Sequence, residues 1–213
     1  MVRDRVVPDT NDEYFLYQTL VGALPFADED LSSFTDLVAD YVVKAVREAK
    51  VHTAWLRPDT DYENGFVEFT RAILTPDADN TFLAKLREFQ GRIADYGIYN
   101  SLSQALLKLT LPGVPDLYQG NEMWDFSLVD PDNRRPVDYA HRRHELEQLQ
   151  QAEDRDWLLQ NLLTYRQDGR IKLWVTHQGL AARQQYPDLF LRGDYQPLKV
   201  QGKAEESIIA FAR

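Results

Sequence analysis

Residues 111–139, LPGVPDLYQGNEMWDFSLVDPDNRRPVDY, gather carboxylates, guanidinium groups and large rings into one stretch: Asp116, Glu122, Asp125, Asp130, Asp132 and Asp138 alternate with Tyr118, Trp124, Phe126 and Tyr139, and Arg134 stands beside Arg135. Carboxylates, amides and guanidinium forks next to flat rings suit an uncharged ligand rich in hydroxyls, such as a sugar. Its C–H face stacks on a ring while its hydroxyls are bonded at the edges. The competing reading is a scaffold loop in which Arg134 and Arg135 pair with Asp130 and Asp132. Glu122 and Asp130 can also be read as the acid and nucleophile of a self-sufficient glycosidase. Asp125, Asp132 and Asp138 read as loop-closing groups that bond backbone amides, and Trp124, beside Met123 and Phe126, reads as core or as a stacking ring.

Two other clusters carry chemistry-bearing residues. Lys50, His52 and Trp55 follow the end of a helical pattern, where they either face a ligand channel or complement the helix dipole. His141 and His144 sit three residues apart, a metal-ligand spacing. Arg142 and Arg143 between them make a cation unwelcome, and a solvated face is the simpler reading. No metal or cofactor is expected.

The elements that must position these residues are mostly helical. The pattern after Asn11-Asp12-Glu13 places Leu16, Leu20, Val21 and Leu24 on one face, and Pro25 ends the run. Leu31, Phe34, Leu37, Val38, Tyr41, Val42, Ala45 and Val46 recur at spacings of three and four, a strong amphipathic signal. Thr60-Asp61-Tyr62-Glu63 reads as a capping box opening a third helix through Phe66, Phe69 and Ile73. A fourth, from Thr81, is expected to pause at Gly97, with a fifth from about Asn100 to the stop at Pro112-Gly113. Val114–Tyr118 reads as a short strand, and Asn121–Tyr139 as loop. A loop of roughly 15 or more residues is either functional or disordered, and its rings argue against disorder.

Beyond it, 141–167 reads as charged helix with Leu146, Leu149, Trp157, Leu158, Leu162 and Leu163 inward, and Asp168-Gly169 as a turn. RIKLWVT, LFLRGDYQPLKV and SIIAFAR read as strands of a small sheet. The apolar finish at Arg213 suggests a chain that stops part-way through a domain.

Bulk composition narrows the partners. With 213 residues and 44% apolar content, a core is affordable. A balance of 24 basic against 34 acidic residues, net −10, repels nucleic acid and anionic membrane alike. The absence of cysteine fits a reducing compartment, and Met1–Arg5 lacks the apolar stretch of a leader. A cytoplasmic location is expected.

At the central segment a family resemblance becomes specific. GVPDLYQGNE is similar to the eighth strand of the α-amylase-like glycoside hydrolase barrel. WDFSLVDPDNRRPVDY resembles the loop that follows it in one branch, the maltooligosyl trehalose synthases. NDEYFLYQTLVGALPF, REAKVHTAWLRPD and YPDLFLRGDYQPL agree in order, so the likeness covers nearly the whole chain. It implies an enzyme that converts the terminal α-1,4 bond of a malto-oligosaccharide into an α,α-1,1 bond by retaining double displacement. It also implies that the aspartate nucleophile, the glutamate acid/base and a second aspartate lie on motifs preceding NDEYFLYQTL. No such motif occurs between Met1 and Pro115, so the chain resembles only the C-terminal part of the enzyme. Alone, it is expected to be inactive.

The resemblance assigns Tyr118, Gln119, Gly120 and Glu122 to the mouth of the barrel, and Asp130, Asn133, Arg134 and Arg135 to the wall of the site. The expected fold is α+β and mainly helical. A helical subdomain (1–110) is followed by the last strand of a (β/α)8 barrel with its rim loop and helices (111–167), then a partial antiparallel β domain (168–213). The expected partners are a malto-oligosaccharide, bound together with the missing barrel part, and a second copy or a rearranged loop covering apolar surface between Leu109 and Leu117. The alternative function is a non-catalytic carbohydrate-binding or protein-interaction module.

Overall fold

A computed structural model of the chain describes residues 5–26, 31–77 and 79–213. Residues 1–4, most of the Met1–Arg5 stretch read as lacking a leader, lie outside the described residues. The chain forms two compact units, residues 1–96 with 126–136 and residues 97–125 with 137–213.

The first unit contains α1 (Thr10–Ala23), α2 (Leu31–Ala49), α3 (Thr60–Leu74) and the start of α4 (Thr81–Thr110). Asp9 caps α1, its carboxylate accepting the Asp12 N–H at 2.8 Å. The three-and-four spacing of α2 buries Phe34, Val38, Val42 and Val46 against Leu16, Leu20, Leu24, Tyr62, Phe66 and Leu74. Leu128, from the central loop, joins the same core. At the start of α3 the cap is Asp59, which accepts the Tyr62 N–H at 3.2 Å. Glu63 is buried and bonded elsewhere, so the capping box read at Thr60–Glu63 does not form.

The second unit holds the rest of α4, α5 (Tyr139–Gln151), α6 (Arg155–Thr164), α7 (Arg170–Gln185), α8 (Pro187–Arg192) and an antiparallel pair, β1 (Gln196–Pro197) and β2 (Phe211–Ala212). The pair is registered Gln196 to Ala212 and Pro197 to Phe211. Met123, Leu149, Leu158, Leu162, Ile171 and Leu173 form its core. Leu109 packs against α7 at Gly179, where a Cβ would lie 2.6 Å from a Leu109 methyl.

The mainly helical reading holds, and five local expectations are corrected. α4 runs without a break through Gly97: neither Gly91 nor Gly97 meets a neighbour that a Cβ would touch. The helix therefore bears only their propensity cost of about 1 kcal/mol each, while Leu83, Leu86, Ile98, Ala105 and Leu109 anchor it. Val114–Tyr118 forms no strand; among the described residues the only ladder is β1–β2.

RIKLWVT is the first half of α7. Its alternation spans too few residues to exclude a helix, and the helix formers of 177–185 continue the turn pattern. LFLRGDYQPLKV begins as α8, with Pro187 at its first position where a missing N–H costs nothing, and only two of its residues enter a strand. SIIAFAR contributes only Phe211 and Ala212. In addition, Trp157 and Leu163, read as inward, are largely exposed, whereas Leu109, read as uncovered, is fully buried. No helix among the described residues is long and apolar enough to cross a membrane.

Candidate functional site

The central segment is shared between the units: 126–136 belongs to the first, 111–125 and 137–139 to the second. Asp130, Asn133, Arg134 and Arg135 are thus brought together in one unit, and Tyr118, Gln119, Gly120 and Glu122 in the other.

In the first unit, residues 128–135 fold back over α2 and close a cavity of about 370 Å³. Leu37, Tyr41, Leu128, Val129 and Trp55 supply apolar wall, and Asp40, Lys44, Asp130, Asp132 and Arg135 supply polar groups. The loop holds its shape through Asp132, whose carboxylate accepts the Leu128 N–H at 2.7 Å and pairs with Arg135 Nε at 2.7 Å. A 3-10 turn, Asp132–Arg134, follows, in which the Arg134 N–H donates to Pro131 O at 3.0 Å. Arg134 pairs with Asp130, and Lys44 Nζ donates to the Asp130 carbonyl, tying the loop to α2. The scaffold reading of Arg134 and Arg135 is therefore correct for their pairings, and Arg135, Asp130 and Asp132 line the cavity at the same time. Asn133 lies in the turn with its Oδ1 buried and accepting no protein hydrogen bond. Burial raises the pKa of the Tyr41 hydroxyl on the wall.

Trp55 reaches this cavity from the turn between α2 and α3. Arg47 lies over its ring at 4.9 Å and forks onto Glu63 at 2.8 and 2.6 Å. The Thr53 hydroxyl donates to Glu63 Oε1 at 2.6 Å. The Arg47 guanidinium, followed by the Thr53 hydroxyl, holds the Glu63 carboxyl below its ordinary value despite burial. His52 faces away into a second polar cluster, 2.6 Å from Asp9 Oδ2 and stacked on Tyr62 at 4.4 Å, while Tyr62 donates to Asp12 at 2.6 Å. Asp9 is depressed by the Asp12 amide and by His52, and burial raises Tyr62. Asp9, Asp12 and His52 offer ligand atoms within 4.8 Å of one another, the only such grouping among the described residues. Asp9 and Asp12 are already spoken for by cap, ring nitrogen and phenol. Lys50 ends α2 in the left-handed region, φ 59°, and is exposed.

In the second unit, Tyr118 and Gln119 are exposed and Gly120 is buried with φ 88°, its missing Cβ facing Val137. Arg142 donates to Gly120 O at 3.3 Å and to Asp138 O at 3.2 Å, and approaches Glu122 at 3.7 Å. Asp138 caps α5 through the His141 N–H at 2.9 Å, as its loop-closing role requires. Trp124 is a structural ring: its Nε1 donates to Arg166 O at 2.8 Å and Lys172 sits over it at 5.5 Å. Burial and the Lys108 charge push the Lys172 pKa down. His141 and His144 are exposed and join no metal-ligand grouping. Glu122 lies in the second unit facing Arg142, and Asp130 lies in the first unit paired with Arg134.

The sequence reading missed Lys44, Tyr41 and Asp40 as cavity residues. Leu37, Tyr41 and Lys44, spaced by four and three, share a face of α2, and the polar end of that stripe was the available signal.

No family model matches the chain. It is similar in fold and sequence to a crystal structure of maltooligosyl trehalose synthase, with TM-score 0.81 and 35% identity over 95% of this chain and 26% of that one. A structure of a hypothetical maltooligosyl trehalose synthase from Sulfolobus tokodaii matches with TM-score 0.73 and 36% identity, over 90% of this chain and 24% of that one. A Mycobacterium tuberculosis protein assigned as a maltooligosyl trehalose synthase is 34% identical over 206 residues, 97% of this chain and 24% of its own length. The chain thus matches maltooligosyl trehalose synthases along nearly its whole length, and it spans about a quarter of the length of the relatives it matches.

Proposed function

We propose that the chain supplies the C-terminal, non-catalytic part of an intramolecular transglucosylase that turns the reducing-end α-1,4 bond of a malto-oligosaccharide into an α,α-1,1 bond. The observation that carries this reading is the match across 97% of the chain to a quarter-length segment of a maltooligosyl trehalose synthase. The nucleophile, the acid/base and the third carboxylate come from the remaining portion of the enzyme. The central segment serves as rim: Asp130 and Arg135, with Asn133 and Arg134 behind them, form wall on the cavity side, and Tyr118, Gln119, Gly120 and Glu122 form the mouth. Val114–Tyr118 becomes the last barrel strand when neighbouring strands of that portion pair with it. The 88% exposure of Val114 supports an unfilled partner position.

The chain is therefore silent alone and active in company. Incubated with maltopentaose, the isolated chain gives no trehalosyl product by chromatography. Co-expression with the polypeptide equivalent to the other three quarters restores it, since restoring the covalent route is worth several powers of ten in rate. Turnover by the isolated chain, or no turnover by a well-assembled pair, would falsify the proposal.

A second reading, a carbohydrate-binding module that acts without the barrel, is favoured by one feature: the 370 Å³ cavity is built entirely within the first unit, with Tyr41 and Trp55 beside carboxylates and Arg135. Maltopentaose binding by the isolated chain, without restored turnover in the assembled pair, selects it.

A further inference from the structure

We infer that Glu63, Arg47 and Thr53 are positioning residues that hold Trp55 as a fixed platform for a sugar ring in the cavity of the first unit. The inference rests on the carbohydrate reading of that cavity given above.

The turn that carries Trp55 lacks the usual anchor of a buried apolar side chain. Val51 and Leu56 are 74% and 101% exposed, and Trp55 itself is 54% exposed. Polar bonds fix the turn instead. Ala54 and Arg57 exchange backbone hydrogen bonds at 3.2 and 3.0 Å, closing a tight bend. At its base the buried Thr53 hydroxyl accepts the Asp59 N–H at 2.9 Å and donates to Glu63.

Glu63 is 4% exposed, an expensive place for a carboxylate unless its oxygens are fully engaged. Both are engaged: Oε1 takes Thr53 and Arg47 Nε, Oε2 takes Arg47 Nη2. The fork fixes the plane of the guanidinium, and the guanidinium lies over the indole. Arg47 is not among the residues lining the cavity, whereas Trp55 is, so the arginine steadies the ring from outside the space a ligand would fill. An exposed tryptophan ordinarily loses rotamer freedom when a ligand stacks on it. One already held makes that loss before binding. A buried ion pair that ends on an exposed ring at a cavity wall has this as its chemical use. For stability alone, a hydrophobic replacement would serve as well.

The test uses the full chain labelled with 15N and follows the indole N–H signals of its four tryptophans, with Trp55 assigned from Trp55→Phe. In the wild type the Trp55 indole is as ordered as its backbone, and maltopentaose shifts its signal. Glu63→Gln lowers the order of the Trp55 indole and leaves those of Trp124, Trp157 and Trp174 unchanged. It also weakens maltopentaose binding about fivefold, the scale of immobilising one side chain on binding. Arg47→Lys keeps a cation but loses the fork, so it falls between the two, and it decides alone if Glu63→Gln does not fold. Unchanged Trp55 order in these variants, with the sugar-induced shift retained, overturns the positioning role and leaves the cavity reading intact. No sugar-induced shift in the wild type overturns the cavity reading and the platform with it.

Discussion

The two units differ in what their closest long-range arginine bonds grip. In the first, carboxylates meet arginines across elements: Arg5 with Asp59 at 2.7 Å and Arg47 with Glu63 at 2.6 Å. In the second, arginines grip backbone carbonyls: Arg183 bonds Leu109 O and Gly113 O at 2.8 and 2.9 Å, and Arg213 bonds Thr110 O and Gly193 O, both at 3.1 Å. A guanidinium on a carbonyl has nothing to titrate between acid and neutral pH, whereas a guanidinium on a carboxylate does. Acid should therefore loosen the unit that holds the cavity before it loosens the other.

Four substitutions, two of them a matched pair, sharpen this contrast in descending order of effect. Phe66, fully buried in the first core, carries the largest: Phe66→Ala should cost about 4 kcal/mol in urea unfolding. Trp55 is the tryptophan of the first unit and the other three lie in the second. The Trp55 indole signal should therefore collapse at lower urea than the rest, and simultaneous loss of all four would show that the units unfold as one.

Next come a matched pair of about 2 kcal/mol each at pH 7, Glu63→Gln in the first unit and Arg183→Met in the second. Glu63 has a depressed pKa, so the stability it lends is fully present above its ordinary value of 4.5 and drains away as the pH falls through its lower folded value. Thermal melts from pH 7 to pH 3 should show the penalty of Glu63→Gln shrinking and that of Arg183→Met holding constant. A constant penalty for both would erase the distinction. The smallest effect is Asp132→Ala, about 1 kcal/mol, seen as faster hydrogen exchange at the Leu128 amide it bonds.

Much of the helical frame was legible because burial and period coincide. In α2, Phe34, Val38, Val42 and Val46 are apolar at helical spacing and all are buried. The failures share a cause. Ile171, Leu173 and Val175 alternate over a window too short to separate strand from helix, and the segment is helical as the first half of α7, which runs on to Gln185. Glu63 looked like a capping residue because its local context permits one. Its partners, Arg47 and Thr53, lie 16 and 10 positions away, a distance at which no local rule operates.

The site divides the same way. Asp130, Asp132, Arg134 and Arg135 stood out by type and adjacency, and their mutual pairing is a matter of three or four residues. Lys44, Tyr41 and Trp55 reach the same cavity from other elements, and only closure of the loop over α2 makes them neighbours. The amino-acid order by itself determined the helices, the family likeness and the groups capable of handling a sugar, because each depends on residues close in the chain. Which carboxylates are tied up, which ring is left facing a cavity and where a strand-like segment goes without a partner were decided by the tertiary structure, since burial and pairing are set by whichever distant side chain arrives in space.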